Sequence, residues 1–276
     1  MINNLKKKLF LFLMFQFVSY FGQSNRFIYE YKFITDSTQS NIISQEVMFL
    51  DITKNESSFY SYQKYHSDSI LLEDNKRRVF SMPPNVNFIN FRVLKKDNNN
   101  LIQTVTNVGG NTFIVSDNHH LNWKILNETD SILNYNVNKA EVLFGGRRWI
   151  AWFTSDIPFS DGPYKFHGLP GLILQIEDVT KSHCFRIVGI KNIDKIIEYP
   201  KIPNAKSPIS INQKDYYKLY RNHREDPLKN LRGKYPDQVD EEGGFKTGDQ
   251  VFRESEKLFK DRIKKDNNVI EIYLLK

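Results

Sequence analysis

The sequence predicts an α+β protein in which one large curved antiparallel sheet carries the core and helices gather toward the C-terminus. Three observations predict it. Short runs of alternating apolar and polar residues recur through the first two thirds of the chain, separated by polar or glycine-bearing turns, which favours antiparallel strands over βαβ units. Aromatic residues make up 14% of the 276 positions, a composition suited to half-buried pleated strands. The best run of helical spacing with a proper cap comes late, after residue 246.

Taken in order, residues 1–23 read as an export signal. Lys6, Lys7 and Lys8 precede an apolar stretch, residues 9–21, too short to span a bilayer, and GQS (22–24) offers small or polar residues for cleavage. No later segment has the ~18–20 apolar residues of a spanning helix. Residues 24–276 are expected to form a single domain, β-rich over 26–191. Its first strands are RFIYEYKFIT (26–35), QEVMFLDI (45–52) and SSFYSYQ (57–63). Residues 68–78 suggest a short helix ended by Pro83-Pro84. Further strands are expected at 87–94, 111–116, 122–126 and 132–137, with turns at 97–100, Gly109-Gly110, 117–120 and 127–130. RRWIAWFTS (147–155) is apolar on both faces and is expected to be buried on both. LILQIED and HCFRIVGIK make another hairpin. A proline-punctuated linker (200–208) leads to a helical part (213–266), with helices at 213–225 and after Thr247, where Gln250 completes a capping box. Glu256–Lys260 and Asp261–Lys265 are spaced as ion pairs on that last helix. VIEIYLL (269–275) reads as a final strand.

The composition restricts function. The formal charge of +7 falls to +4 once the three leader lysines are removed, too mild to point to nucleic acid. Residues 201–235 carry a local excess of basic residues with Tyr216, Tyr217 and Tyr220 among them, but 236–256 are acidic, so the two stretches are expected to neutralise each other. Cys184 is the single cysteine, which forbids an intramolecular disulfide; in an alternating apolar run it reads as an inert thiol.

GPYKFHGLPGLILQIED (162–178) is the most distinctive stretch. It lacks both GxGxxG and GxxxxGK[ST] spacing, and the residues after Gly171 are strand-like, so the helix N-terminus that would hold a phosphate is missing. Leu169-Pro170-Gly171-Leu172 matches a type II turn instead. Six histidines show no metal-ligand spacing, and no cofactor is expected. The candidates for catalysis lie in the same loop. His167 as base with Asp161 and Ser160 (or Ser155) makes a Ser–His–Asp set without any nucleophile-elbow signature. Glu177-Asp178 and Glu241-Glu242 are neighbours in sequence, which does not make a catalytic dyad.

At Gly168, Leu169, Pro170, Gly171, Leu172 and Ile173 the chain resembles the GLPGLI family of exported Gram-negative bacterial proteins. The resemblance extends through 139–178, including Gly162 and Pro163, and to NNVIEI (267–272), where Val269 replaces an expected proline. It implies a place in the periplasm or at the outer membrane, with no assigned activity; the topology expected from the strand pattern looks similar to lipoprotein-carrier-like half-barrels. The resemblance also implies a partner among outer-membrane TonB-dependent transporters. The expectation is a non-enzymatic binding or accessory protein for an apolar ligand or such a partner. A hydrolase built on the 155–167 loop, and a purely structural protein, are the alternatives.

Overall fold

Two antiparallel meanders meet edge to edge. The first runs β1 (Ser24–Phe33), β2 (Ser44–Ile52), β3 (Glu56–Ser61), β4 (Arg92–Lys96), β5 (Leu101–Val108) and β6 (Asn111–Asp117). The second runs β7 (Lys124–Ile132), β8 (Tyr135–Phe144), β9 (Arg147–Thr154), β10 (Leu172–Asp178) and β11 (His183–Ile193). The first and last of these strands, β1 and β11, pair antiparallel and join the two halves. With β12 (Ile209–Asn212) added in parallel to β6, the twelve-stranded sheet reads β12-β6-β5-β4-β3-β2-β1-β11-β10-β9-β8-β7. It is open, and antiparallel everywhere but at β12. The computed structural model describes residues 24–276 except 55, 81–88, 97–100, 119, 195–196, 204–205 and 240–242. The predicted export signal, Pro83-Pro84, the turn at 97–100, His119 and Glu241-Glu242 therefore lie outside the described residues.

The sheet curls. In a flat sheet β4 and β9, six strand spacings apart, would be separated by about 29 Å. Here one residue touches both. The Phe166 carbonyl accepts from Lys95 of β4 at 3.4 Å, and its ring packs on Trp149 of β9 at 4.8 Å. Phe166 belongs to the β9–β10 connection, residues 155–171, which folds back inside the curl instead of out into solvent. Residues 162–166 are buried without a break. They join a core built from the inward faces of both meanders: Phe27, Tyr29 and Tyr31 of β1, Met48 and Leu50 of β2, Phe59 of β3, and Trp149, Ala151 and Phe153 of β9.

Among the described residues three α-helices accompany the sheet, each started by a side chain that satisfies a free backbone N–H. Ser61 caps α1 (Tyr62–Lys76), Asn212 caps α2 (Gln213–Glu225) and Thr247 caps α3 (Gly248–Lys265), with Gln250 closing the predicted box. On α2, Tyr216, Leu219 and Tyr220 pack on a second, small core of Val108, Phe113 and Val115. Within α3, Glu256 pairs with Lys260 at 3.1 Å as expected, but Asp261 pairs with Lys264 at 3.5 Å.

Several expectations need correcting. Residues 269–275 are not a strand: Ile272–Leu275 form a 3-10 turn, in which Leu274 N–H donates to Glu271 O while Ile272 N–H is held by Gly145 O of the β8–β9 turn. The helix expected at 68–78 begins earlier, at Tyr62. Residues 127–130 are not a turn but part of β7; the turn is Leu133-Asn134, both at positive φ (50° and 68°), and the strand expected at 132–137 is split by it. On β9 only the Trp149–Ala151–Phe153 face is fully buried; Ile150 and Trp152 are half-buried. Strands β5 and β12 had no counterpart among the expected strands.

Candidate functional site

The 155–171 loop divides the interior into two spaces. Its shape rests on the glycines. Gly171 sits at φ +139°, and a Cβ there would lie 2.0 Å from the Thr154 carbonyl oxygen, so a side chain is excluded by both conformation and contact. The type II turn is corrected to a tighter one: the Gly171 N–H donates to Leu169 O at 2.8 Å across Pro170, and Leu172 N–H donates to Ile157 O at 3.1 Å. Tyr29 of β1 donates its hydroxyl to Ile173 O at 2.7 Å, tying the end of the loop to the first strand.

On one side of the loop lies a cleft of about 410 Å³ between the β2–β3 turn, the β4–β5 end and residues 158–167. The three catalytic candidates, Ser160, Asp161 and His167, all line it. They are not wired as a triad. Asp161 and His167 face each other across an isolated backbone bridge, but the Asp161 carboxylate pairs with Lys95 and accepts from its neighbour Gly162 N–H at 2.7 Å. The His167 Nδ1 lies 2.9 Å from the Lys165 carbonyl oxygen. A carbonyl only accepts, so Nδ1 carries the proton and Nε2 is left as an acceptor. Burial lowers the His167 pKa, and Lys95 adds to the effect against the Lys165 carbonyl and Asp161, so the ring is neutral. Ser155 takes no part in the cleft; its hydroxyl donates to Pro170 O at 2.9 Å. Lys95 was not singled out from sequence. It is 8% exposed, and its ammonium contacts Asp161, Gly162 O at 2.6 Å and Phe166 O. Burial pulls its pKa down against the pull of Asp161.

On the other side is an aromatic cavity of about 240 Å³, walled by Tyr31, Phe33, Phe91, Tyr164, Tyr216 and Tyr220 among others. Its polar floor is a buried network. Lys165 pairs with Glu271 at 2.6 Å and Asp117 at 3.1 Å, Tyr164 donates to Glu271 at 2.6 Å, Tyr217 donates to its other oxygen at 2.8 Å, and Gln213 donates to Asp117 at 2.9 Å. Burial alone would raise the Glu271 carboxyl; Lys165 and the two tyrosine hydroxyls outweigh it and hold the group below its usual range. Burial alone would likewise depress Lys165, and Glu271 and Asp117 reverse that.

Beside this network, Arg147 donates to Asp178 at 3.0 Å, to Asn268 Oδ1 at 2.5 Å and to Val269 O at 2.8 Å. Ile272 N–H reaches Gly145 O at 2.7 Å, and a Cβ on Gly145 would lie 2.9 Å from the Glu271 Cα. The C-terminal segment is thus seated on the β8–β9 turn. The two recognisable blocks, 139–178 and 267–272, are in contact. His183 completes the wall: Tyr31 lies 2.7 Å from its Nδ1, while its ring faces the Asn268 and Val269 backbone with a buried Nε2 that makes no well-formed hydrogen bond. Burial, helped by Arg147, lowers its pKa to about 4. Thr104 Oγ1, on β5 and lining the same cavity, is also buried without a partner.

The remaining candidates separate. Cys184 is half-buried, and burial pushes its thiol up to about 11, as an inert group requires. Glu177 and Asp178 point apart: Asp178 is buried on Arg147, and Glu177 is half-buried on the other face of β10. Among the described residues, no three His, Cys, Asp or Glu side chains gather as metal ligands, and no helix is long and apolar enough to cross a membrane.

Comparison with known proteins gives two findings. The model of a family described as "Protein of unknown function (Porph_ging)" matches residues 146–175, the segment from the β8–β9 turn through the loop into β10. The fold is similar to part of PNGF-II, solved in C2 and P21 space groups, with TM-scores of 0.51 and 0.50 and identities of 19% and 18%. The likeness covers 71% of this chain but only 32% and 33% of the PNGF-II chains, so this chain matches about a third of their length. At such identity it is a likeness of fold alone. No curated protein matches.

Proposed function

We propose that the chain is an exported cell-envelope protein of the GLPGLI family that holds a small apolar, aromatic-faced ligand in the inner cavity, for itself or for an outer-membrane partner. The observation that carries this reading is the cavity. Seven aromatic rings wall it, and a buried polar atom, Thr104 Oγ1, has no partner there. Apolar walls with a few convergent polar groups are the usual make-up of a small-molecule site, and a buried polar atom left unpaired costs about 1–3 kcal/mol, which a ligand's polar end would relieve. The family resemblance and the leader-like residues 1–23 support export.

Native mass spectrometry and solvent extraction of the protein, expressed with its own leader, test the reading. A bound small molecule is expected in the wild type and absent in Thr106→Trp, a half-buried cavity position where the indole would fill the space. An empty wild type that also fails to bind an anilinonaphthalene probe would sink it.

The hydrolase reading retains one observation, the convergence of Ser160, Asp161 and His167 on one cleft. It requires His167→Ala to abolish turnover of an ester, peptide or glycan without changing the melting temperature. The carboxylate held by Lys95, and the imidazole proton held by a carbonyl, leave no relay for it to use.

A further inference from the structure

The cleft on the far side of the loop has chemistry of its own, independent of the inner cavity. Three groups on its walls present lone pairs. His167 Nε2 is an acceptor because Nδ1 is committed to Lys165 O. Asp161 takes both Lys95 and Gly162 N–H on Oδ1, leaving Oδ2 without a hydrogen bond among the described residues. Ser57, 4% exposed, lines the cleft with an Oγ that is buried and unpartnered. The buried ammonium on this side of the loop, Lys95, has spent its three N–H groups on Asp161, Gly162 O and Phe166 O. The floor of the cleft is thus rich in acceptors, while the exposed ammonium groups of Lys54 and Lys96 at its mouth supply donors, and the site asks for a ligand that can both donate and accept.

Charge narrows the class. Among the described residues, Lys54, Lys95 and Lys96 line the cleft against Glu56 and Asp161, an excess of one positive charge. That disfavours an ammonium ligand, while an anion would meet the three acceptors head-on. A neutral donor remains, and hydroxyl groups suit best because they also accept from Ser57. Phe159, half-buried and edge-on to Phe27 at 5.9 Å, supplies an apolar surface for a C–H face. At about 410 Å³ the space lies within the range of small-molecule sites. We propose that this cleft, bounded by Ser57, Phe159, Asp161 and His167, is a second binding site that takes a neutral polyhydroxylated ligand, a saccharide unit.

The test is saturation-transfer NMR on the purified protein with glucose, N-acetylglucosamine and maltose as probes and tetramethylammonium as the cationic control. Two variants locate the site. Ser160→Trp places an indole across the opening from an exposed side chain, so folding is not at issue. His167→Phe keeps the ring and removes the acceptor. At least one saccharide is expected to bind wild type, about tenfold more weakly in His167→Phe, and not at all in Ser160→Trp, with anilinonaphthalene binding in the inner cavity unchanged. No saccharide signal in wild type overturns the proposal, as does a signal that survives Ser160→Trp or binding of tetramethylammonium in place of the sugars.

Discussion

Gly171 and Glu271 show how much individual side chains decide here. Gly171→Ala forces a methyl into the Thr154 carbonyl at a φ that L-residues avoid, and is expected to cost at least about 2–3 kcal/mol in urea titrations. Glu271→Gln leaves Lys165 buried with one charged partner fewer and should cost on the order of 3 kcal/mol. The pH dependence draws on three depressed groups, His167, His183 and Glu271, of which His183 and Glu271 are the most deeply buried. His183 titrates near 4 folded and near 6.5 unfolded. Between those values the unfolded chain binds the extra proton, so the stability due to neutral His183 is complete above pH 6.5 and is lost as pH falls toward 4. Glu271, also depressed, adds a loss that begins below its unfolded value near 4.5. Denaturant midpoints measured across pH 4–7 should fall toward acid, and His183→Gln should flatten the pH 6.5–4 part of that slope. A His183→Gln profile as steep as wild type would remove His183 from the account.

At the scale of elements, alternation was a reliable guide wherever the buried residues were apolar. The strands at 26–35, 45–52 and 111–116 could be read because Phe27, Tyr29, Tyr31, Leu50 and Phe113 mark the inner face. The reading failed where a polar residue took a core position or an apolar one took a turn. Thr104 sits inward on β5 and breaks its pattern, Leu133 occupies a positive-φ turn position normally given to Asn or Gly, and Glu271 turns VIEIYLL from an apparent strand into a docked tail. The site was legible in part for the same reason. Ser160, Asp161 and His167 are close in sequence and remain close in space, whereas Lys95, Ser57 and Asp117 reach the loop only because the sheet curls, which local pattern does not encode. Helix α3 gives the clearest elemental test. Its cap and its one buried residue, Phe252, against Tyr235 at 5.8 Å, anchor it, while Leu258 and Phe259 of its apolar spacing are 62% and 42% exposed. Thr247→Ala is expected to cost about 1 kcal/mol and Phe252→Ala about 3 kcal/mol, with Leu258→Ala within about 0.5 kcal/mol, all by chemical denaturation.

Over the whole molecule, the segment matched by the family model, residues 146–175, is not a surface motif. It lines both internal spaces at once, with His167 and Asp161 on the cleft and Tyr164 and Lys165 on the cavity. Filling one space without disturbing the other is therefore a direct way to separate their roles, which the Thr106→Trp and Ser160→Trp variants do from opposite sides.

The union of β1 with β11 also sets an order of assembly. Tyr31 of β1 pairs with Phe185 of β11, more than 150 residues away, and among the described residues no strand of the first meander has another partner in the second. The curl closes around a loop whose own flanking strands, β9 and β10, pair locally. The second meander can thus assemble with its plug in place from near neighbours, while the first must wait as a loose sheet until residues 183–193 are available to receive it. A chain crossing a membrane from its N-terminus would deliver its halves in the opposite order, so the aromatic face of β1–β6 would emerge first and stand uncovered until nearly two hundred residues had crossed. Long-range closure of this kind is slow, and for a chain delivered in that order the interval before closure would expose it to aggregation more than the finished fold does.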